Sequence, residues 1–256
     1  MPVHGHSFYS HQGRFYDLAG RPCDVAQYDG QTFFVKTIGG SEGIGADIIC
    51  FRPPGDRRAE DLLYQELLVP HRALAAISPV RAMPTLRVNS YFTKGGRVEI
   101  LSALIKFAGP GAVADNMAAG AIGVGIDPLE GRLHAEGVSK QGRRTSEGRA
   151  ITAHPISGIP FEGFQVPCWH ECVALLDRLH PLFPNLRAIG WDLAVTEAGP
   201  VVIEGNSVGA LLFEQVFSRP FFGTTYVQEN LGELRGRPLP CVDGEGALLL
   251  ADNVRL

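Results

Sequence analysis

The sequence predicts an α+β fold built on antiparallel sheets. Short β-branched and aromatic runs come in pairs around turn residues, as in Leu86 to Phe92, Lys94-Gly95-Gly96, then Arg97 to Phe107. Only one long segment, Pro167 to Leu182, repeats apolar residues at helical spacing. Strands and helices do not alternate regularly, which excludes a doubly wound parallel sheet.

The elements follow in order. Arg14 to Leu18 and Asp24 to Tyr28 read as short strands, and Asp29-Gly30 as a hairpin turn. Thr32 to Lys36 is an aromatic, β-branched strand. It enters the glycine-rich turn Gly39-Gly40-Ser41-Glu42-Gly43-Ile44-Gly45, and Ala46 to Phe51 is the returning strand. Leu62 to Val69 is an apolar run interrupted by Gln65 and Glu66. Pro70, Pro79 and Pro84 then break the chain before the Leu86 to Phe107 hairpin. Residues 109–125 are rich in Gly and Ala, and residues 127–160 read as turns of mixed charge. Cys172, Leu175, Leu176, Leu179 and Leu182 mark a helix stripe. Arg187 to Val195 and Val201 to Glu204 form a second strand pair around Thr196 to Pro200, and Leu211 to Phe217 reads as a helix start.

Composition limits the function classes. With 45% hydrophobic and 20% charged residues among 256, the chain has the balance of a globular, enzyme-sized protein. Gly 31 and Pro 18 imply many turns and a loop-rich site. A net charge of -4 supplies no basic footprint, so nucleic acid is not an expected partner. No apolar run approaches the roughly 18 residues a membrane span needs. The start, Met-Pro-Val-His-Gly-His, carries no secretory pattern, and Cys 5 is an odd count without a framework. Reduced thiols and a cytoplasmic location are the expectation.

Three groups carry candidate chemistry. Asp192, Glu204 and Asn206 are oxygen donors. Period-2 alternation puts Glu204 and Asn206 on one face, and pairing through the turn brings Asp192 opposite them. Hard divalent cations such as magnesium take such ligands, often with phosphate oxygens. A hairpin end with solvated polar residues is the plainer alternative. Lys36, with the turn containing Gly40, Ser41 and Gly43, can meet a phosphate through an ammonium and backbone N–H groups. The turn lacks the Gly-Lys-Ser/Thr of a strand-to-helix phosphate loop, and a plain hairpin tip explains it equally. The Gln65-Glu66-Leu67-Leu68 backbone can offer the donor and acceptor an adenine edge needs, or it is simply a buried strand. Cys168, His170 and Cys172 match no zinc spacing and read as helix packing. His154 reads as a loop histidine, and Arg143 and Arg144 as solvated.

In order, Phe34-Val35-Lys36, Tyr64-Gln65-Glu66, Thr85-Leu86-Arg87-Val88, Gly95-Gly96-Arg97-Val98-Glu99-Ile100 and Ala114-Asp115-Asn116 are followed by three more segments. These are His154-Pro155-Ile156-Ser157-Gly158, Gly190-Trp191-Asp192 and Gly199-Pro200-Val201-Val202-Ile203-Glu204-Gly205-Asn206. This ordered set resembles the ATP-grasp superfamily, and most closely its sugar-transfer-associated group. The resemblance implies two α+β subdomains with antiparallel sheets sandwiching ATP. Lys36 would touch phosphates and Gln65 to Leu68 the adenine. Asp192, Glu204 and Asn206 would hold Mg2+. Arg87 and Asn116 would be catalytic, neutralising the transferring phosphoryl group.

The implied reaction is ATP- and Mg-dependent ligation, in which a carboxylate becomes an acyl phosphate that an amine or similar nucleophile attacks. A phosphotransferase and a non-catalytic nucleotide-binding module are the alternatives. The implied partners are ATP and small-molecule carboxylate and nucleophile substrates.

The expected division is an N-terminal remnant or extra hairpin (1–31), a small nucleotide-binding subdomain (32–68), a large subdomain with the metal site (69–230) and a peripheral tail (231–256). Relatives of this kind carry a complete N-terminal domain. Only 35 residues precede Lys36 here, so a protein partner supplying that domain is an expectation. Arg14 and Arg21 are the cations available for a second phosphate contact.

Overall fold

The computed structural model describes residues 7–39, 45–53, 61–109, 121–139, 149–207, 225–226, 229–230, 241–242 and 248–249. Two antiparallel sheets dominate them. Strands β1 (Phe8–His11), β2 (Arg14–Asp17), β3 (Thr32–Thr37), β4 (Asp47–Cys50) and β5 (Leu62–Glu66) form a five-stranded sheet in the order β2-β1-β5-β3-β4. Strands β6 (Thr85–Phe92), β7 (Val98–Phe107), β8 (Ile122–Ile126), β9 (Leu133–Ser139), β10 (Arg149–Ile151), β11 (Ala188–Thr196) and β12 (Gly199–Asn206) form a seven-stranded sheet in the order β10-β9-β8-β7-β6-β11-β12. A separate short pair joins β13 (Cys241–Val242) and β14 (Leu248–Leu249). Helices α1 (Arg72–Ile77) and α2 (Trp169–Leu179) complete the set. This is an α+β arrangement, as the hairpin pattern predicts.

The small sheet closes over aromatic rings. Phe8, Phe33, Phe51 and Tyr64 are buried together with Val25, Val35 and Leu62. Phe8 stacks on Tyr64 at 4.6 Å and on Tyr28 at 5.1 Å between centroids. Strand alternation explains the selection. Phe33 and Val35 of β3 point inward, whereas Phe34 and Lys36 take the opposite face. Because Phe8 is central, β1 and its hairpin partner β2 are built into the sheet that holds Lys36.

The large sheet has two chemically different faces. Leu86, Val88, Ala103, Ile105, Phe107, Val124, Trp191, Leu193 and Val195 pack on one side against Leu74 and Ile77 of α1 and Trp169, Cys172 and Leu176 of α2. The α2 residues lie three and four apart, so one helix stripe covers the sheet. Pro181 follows directly. Its ring has no N–H to continue the helix, and His180–Leu182 tightens into a 3-10 turn. Leu182, expected on the buried stripe, is therefore turned outward and is 68% exposed.

Two local expectations are corrected, and the loop placement of His154 holds. Asp24 to Tyr28 is not a strand, because the Asp24 carboxylate accepts from the Ala26 N–H and starts a 3-10 turn at Ala26–Tyr28. Residues 127–160 contain β9 and β10 as well as turns. His154 lies in a loop but is buried, edge-on to Phe107 at 5.5 Å on the apolar side of the sheet. No helix among the described residues is long and apolar enough to cross a membrane.

Candidate nucleotide and metal site

The second face of the large sheet is polar, and register assembles it. Residues directly opposed across antiparallel strands share a face. Asp192 of β11 pairs with Arg87 of β6 on one side and with Glu204 of β12 on the other. Gly190 pairs with Asn89 and with Asn206 in the same way. Thr85 pairs with Lys106 of β7, and Asn89 with Ser102. Arg87, Asn89, Ser102, Lys106, Asp192, Glu204 and Asn206 thus line one surface, opposite the apolar core.

Asp192 is its centre and is buried. The Arg87 guanidinium donates from Nε to Oδ1 at 2.5 Å and from Nη2 to Oδ2 at 3.0 Å. The Lys106 ammonium donates to Oδ2 at 3.3 Å. Burial pushes the Asp192 carboxyl up. The Arg87 hydrogen bonds and the charges of Lys106 and Arg87 outweigh this and hold it below the usual carboxylate range. Glu204 is exposed at the rim and accepts from the Asn206 amide at 3.1 Å. Asn206 Nδ2 also lies 3.4 Å from the Gly190 carbonyl.

The sequence-predicted metal ligands are therefore together: two carboxylates in direct register, and an amide whose NH2 is engaged and whose oxygen can serve as a ligand. This donor set is all oxygen and fits a hard divalent cation. Arg87, predicted as a catalytic cation, lies in the same cluster.

Lys106 was not singled out from the sequence, nor were Asn89 and Ser102. The signal was available. Lys106 is a cation set in the apolar second half of the strand Val98–Phe107, on the opposite parity to Ile105 and Phe107. Asn89 Nδ2 donates to Ser102 Oγ at 3.1 Å, and its buried Oδ1 has no hydrogen-bond partner among the described residues.

On the small sheet, Lys36 pairs with Leu63, and Phe34 pairs with Gln65 on one side and Ile48 on the other. Lys36 and Gln65 are thus diagonal neighbours on the face away from the aromatic core, beside Phe34, Leu63 and Ile48. Glu66 ends β5 and is exposed, and Leu67 and Leu68 lead half-buried from the sheet. The chain then enters α1, where the His71 N–H donates to the Val195 carbonyl at 2.8 Å and the Arg72 N–H to Glu197 Oε1 at 2.8 Å. Gln65 and Glu66 thus close β5, and the chain from Leu67 through α1 leads on to β6 of the large sheet, held at His71 and Arg72 against β11 and the turn that follows it.

Gly40, Ser41, Gly43 and Asn116 lie outside the described residues, as do Arg143, Arg144 and the expected helix start at 211–217. Arg21 is engaged with Asp17 at 2.7 Å, and Arg14 is exposed on the edge strand β2. Cys172 is buried in the core, where burial pushes its thiol up to about 12, whereas His170 is exposed. The three residues form no metal centre.

No curated protein matches the chain. A family model described as sugar-transfer associated ATP-grasp matches residues 54–222, more than half of the chain. That span runs from just before β5 through the whole polar face of the large sheet. The chain belongs to the sugar-transfer associated ATP-grasp family.

Proposed function

We propose that the protein is an ATP- and Mg2+-dependent ligase that activates a carboxylate as an acyl phosphate and passes the acyl group to an amine or similar nucleophile. The ATP-grasp domain supports ATP-dependent ligase-type activity at the superfamily level. The observation that carries the finer reading is the polar face, where two cations and two carboxylates lie side by side on rigid strands.

In this reading Lys36 meets the phosphates from the small sheet. Phe34, Ile48 and Leu63 supply an apolar wall near the adenine, whose edge meets the Gln65 to Leu68 backbone. Arg87 and Lys106 face the γ-phosphoryl group. Magnesium held by Asp192, Glu204 and Asn206 would neutralise charge at the β- and γ-phosphates. A substrate carboxylate oxygen attacks the γ-phosphorus, the bridging P–O bond breaks, and ADP leaves. The nucleophile then attacks the acyl carbon, and orthophosphate leaves with the oxygen that came from the carboxylate. Positioning and charge neutralisation are what the strands provide, and this transfer needs little else.

The test is heavy-oxygen transfer. A panel of carboxylates labelled in both oxygens is incubated with ATP, Mg2+ and amines, and the released orthophosphate is examined by mass spectrometry. The ligase reading predicts one labelled oxygen per phosphate. A stable phosphoester and no labelled phosphate would instead identify a phosphotransferase.

A further inference from the structure

We propose that Lys106 and Arg87 compete with metal for Asp192, and that nucleotide phosphates take over these two cations and free it. Lys106 is then a phosphate-binding residue that also enforces joint binding of nucleotide and divalent cation. This rests on the nucleotide-site reading above and adds a rule for how the site fills.

Both Asp192 oxygens are already occupied, with three donor contacts between 2.5 and 3.3 Å. The three side chains are deeply set, at 21% exposure for Arg87, 13% for Lys106 and 10% for Asp192. A divalent cation approaching Asp192 in this state meets two positive charges around its intended ligand, poorly screened by water. Glu204 at the rim does not offset them alone. By its own side chains, the face carries two cations against two carboxylates. Adding a divalent ion alone leaves it strongly positive. A phosphate chain changes the balance, because it offers guanidinium and ammonium donors a multiply charged oxygen partner. The carboxylate they leave behind is then a metal ligand. Linkage makes the effect reciprocal, so each ligand strengthens the other.

The strand geometry permits the exchange without backbone movement. Arg87 and Lys106 lie on β6 and β7, two residues apart along the paired register, and both reach Asp192 from the same side. Rotation of either long side chain about its own bonds redirects its head group.

The experiment compares wild type, Lys106→Met and Lys106→Arg in two separate titrations. Mn2+ alone is followed by the electron paramagnetic resonance of the free ion. ATP in excess chelator is followed by calorimetry. Lys106→Met should bind Mn2+ about tenfold more tightly and metal-free ATP about tenfold more weakly, within the usual range of coupling between sites. Lys106→Arg keeps the charge and should return both values toward wild type, which separates the effect from loss of packing. A Lys106→Met protein that binds Mn2+ no better than wild type overturns the exchange. Wild-type protein that binds no ATP overturns the nucleotide-site reading with it.

Discussion

Gly190 gives the polar face its room. A Cβ at this position would lie 2.8 Å from Asn89 Oδ1 and 3.5 Å from Arg87 Cδ. Asn89 is buried and tied to Ser102, so it has little freedom to retreat. Gly190→Ala should therefore push against the Asn89 amide and disturb its bond to Ser102 on the polar face. Overpacking of this kind costs about 1–3 kcal/mol. Thermal unfolding should report that loss, and ATP affinity should fall with it; an unchanged melting temperature and affinity would refute the crowding. The same scale shows what was legible. Asp192, Glu204 and Asn206 could be placed on one face because strand alternation depends on nothing but residue parity. Lys106 escaped because the carboxylate it meets, Asp192, lies 86 residues further on and two strands away in the sheet, so only the assembled register brings the two together.

At the scale of elements, the turn after α2 is held by a chain of hydrogen bonds. Trp191 Nε1 donates to Ser90 Oγ at 2.8 Å, and Ser90 and His180 Nδ1 are 2.7 Å apart. His180 Nε2 faces the Leu186 carbonyl at 2.8 Å and so carries the ring proton, which leaves Nδ1 as the acceptor. Burial lowers the pKa of His180, and burial lowers that of His154 as well. Both are neutral in the fold. The unfolded imidazoles take up protons near 6.5, while the folded ones do so only at lower pH. The unfolded chain then binds more protons, and stability falls as pH drops below that value. Urea unfolding from about pH 8 to about pH 5.5 should show a plateau followed by a decline of at most about 1.4 kcal/mol per pH unit for each histidine. Substituting His154 by Leu should remove part of the slope, and a slope unchanged by that substitution would contradict the assignment. Asp192 acts lower still, since its contribution is lost only as pH falls below the ordinary 3.8 toward its depressed value.

Elements differ in how well local sequence announces them. The β6–β7 hairpin was legible because Thr93 to Gly96 closes a tight turn between two apolar runs, with Gly96 at φ 77. The strand β8 was not. Its Gly123 and Gly125 suggest a turn, yet they oppose Lys106 and Leu104 on the polar face, where the sheet stays bare of side chains. The Ala26–Tyr28 turn was misread because a single Asp24 side chain, not periodicity, decides its conformation.

At the scale of the whole molecule, the described residues are dominated by two sheets of different chemistry, linked in sequence by the stretch from Leu67 to Pro84 that includes α1. The aromatic sheet carries Lys36 and an apolar wall, and the larger sheet carries the charges. The architecture was readable from hairpin pairing, and the candidate site from short motifs in order. The state of the site was not, because nothing local in the sequence shows Asp192 sitting between two cations. This alters the choice of variant for testing it. Asp192→Asn would leave Arg87 and Lys106 without their buried anion, and breaking such a group costs about 3–5 kcal/mol. Glu204 is exposed, so Glu204→Gln leaves the packing alone.

Calorimetric titration of ATP into wild type and Glu204→Gln, each with and without Mg2+, tests the central claim most directly. Wild type should bind ATP more tightly when Mg2+ is present. Glu204→Gln, with an unchanged melting temperature, should lose about tenfold of that gain, equivalent to ~1.4 kcal/mol. A Glu204→Gln protein that keeps the full magnesium-dependent gain would contradict the assignment of the polar face as the MgATP site.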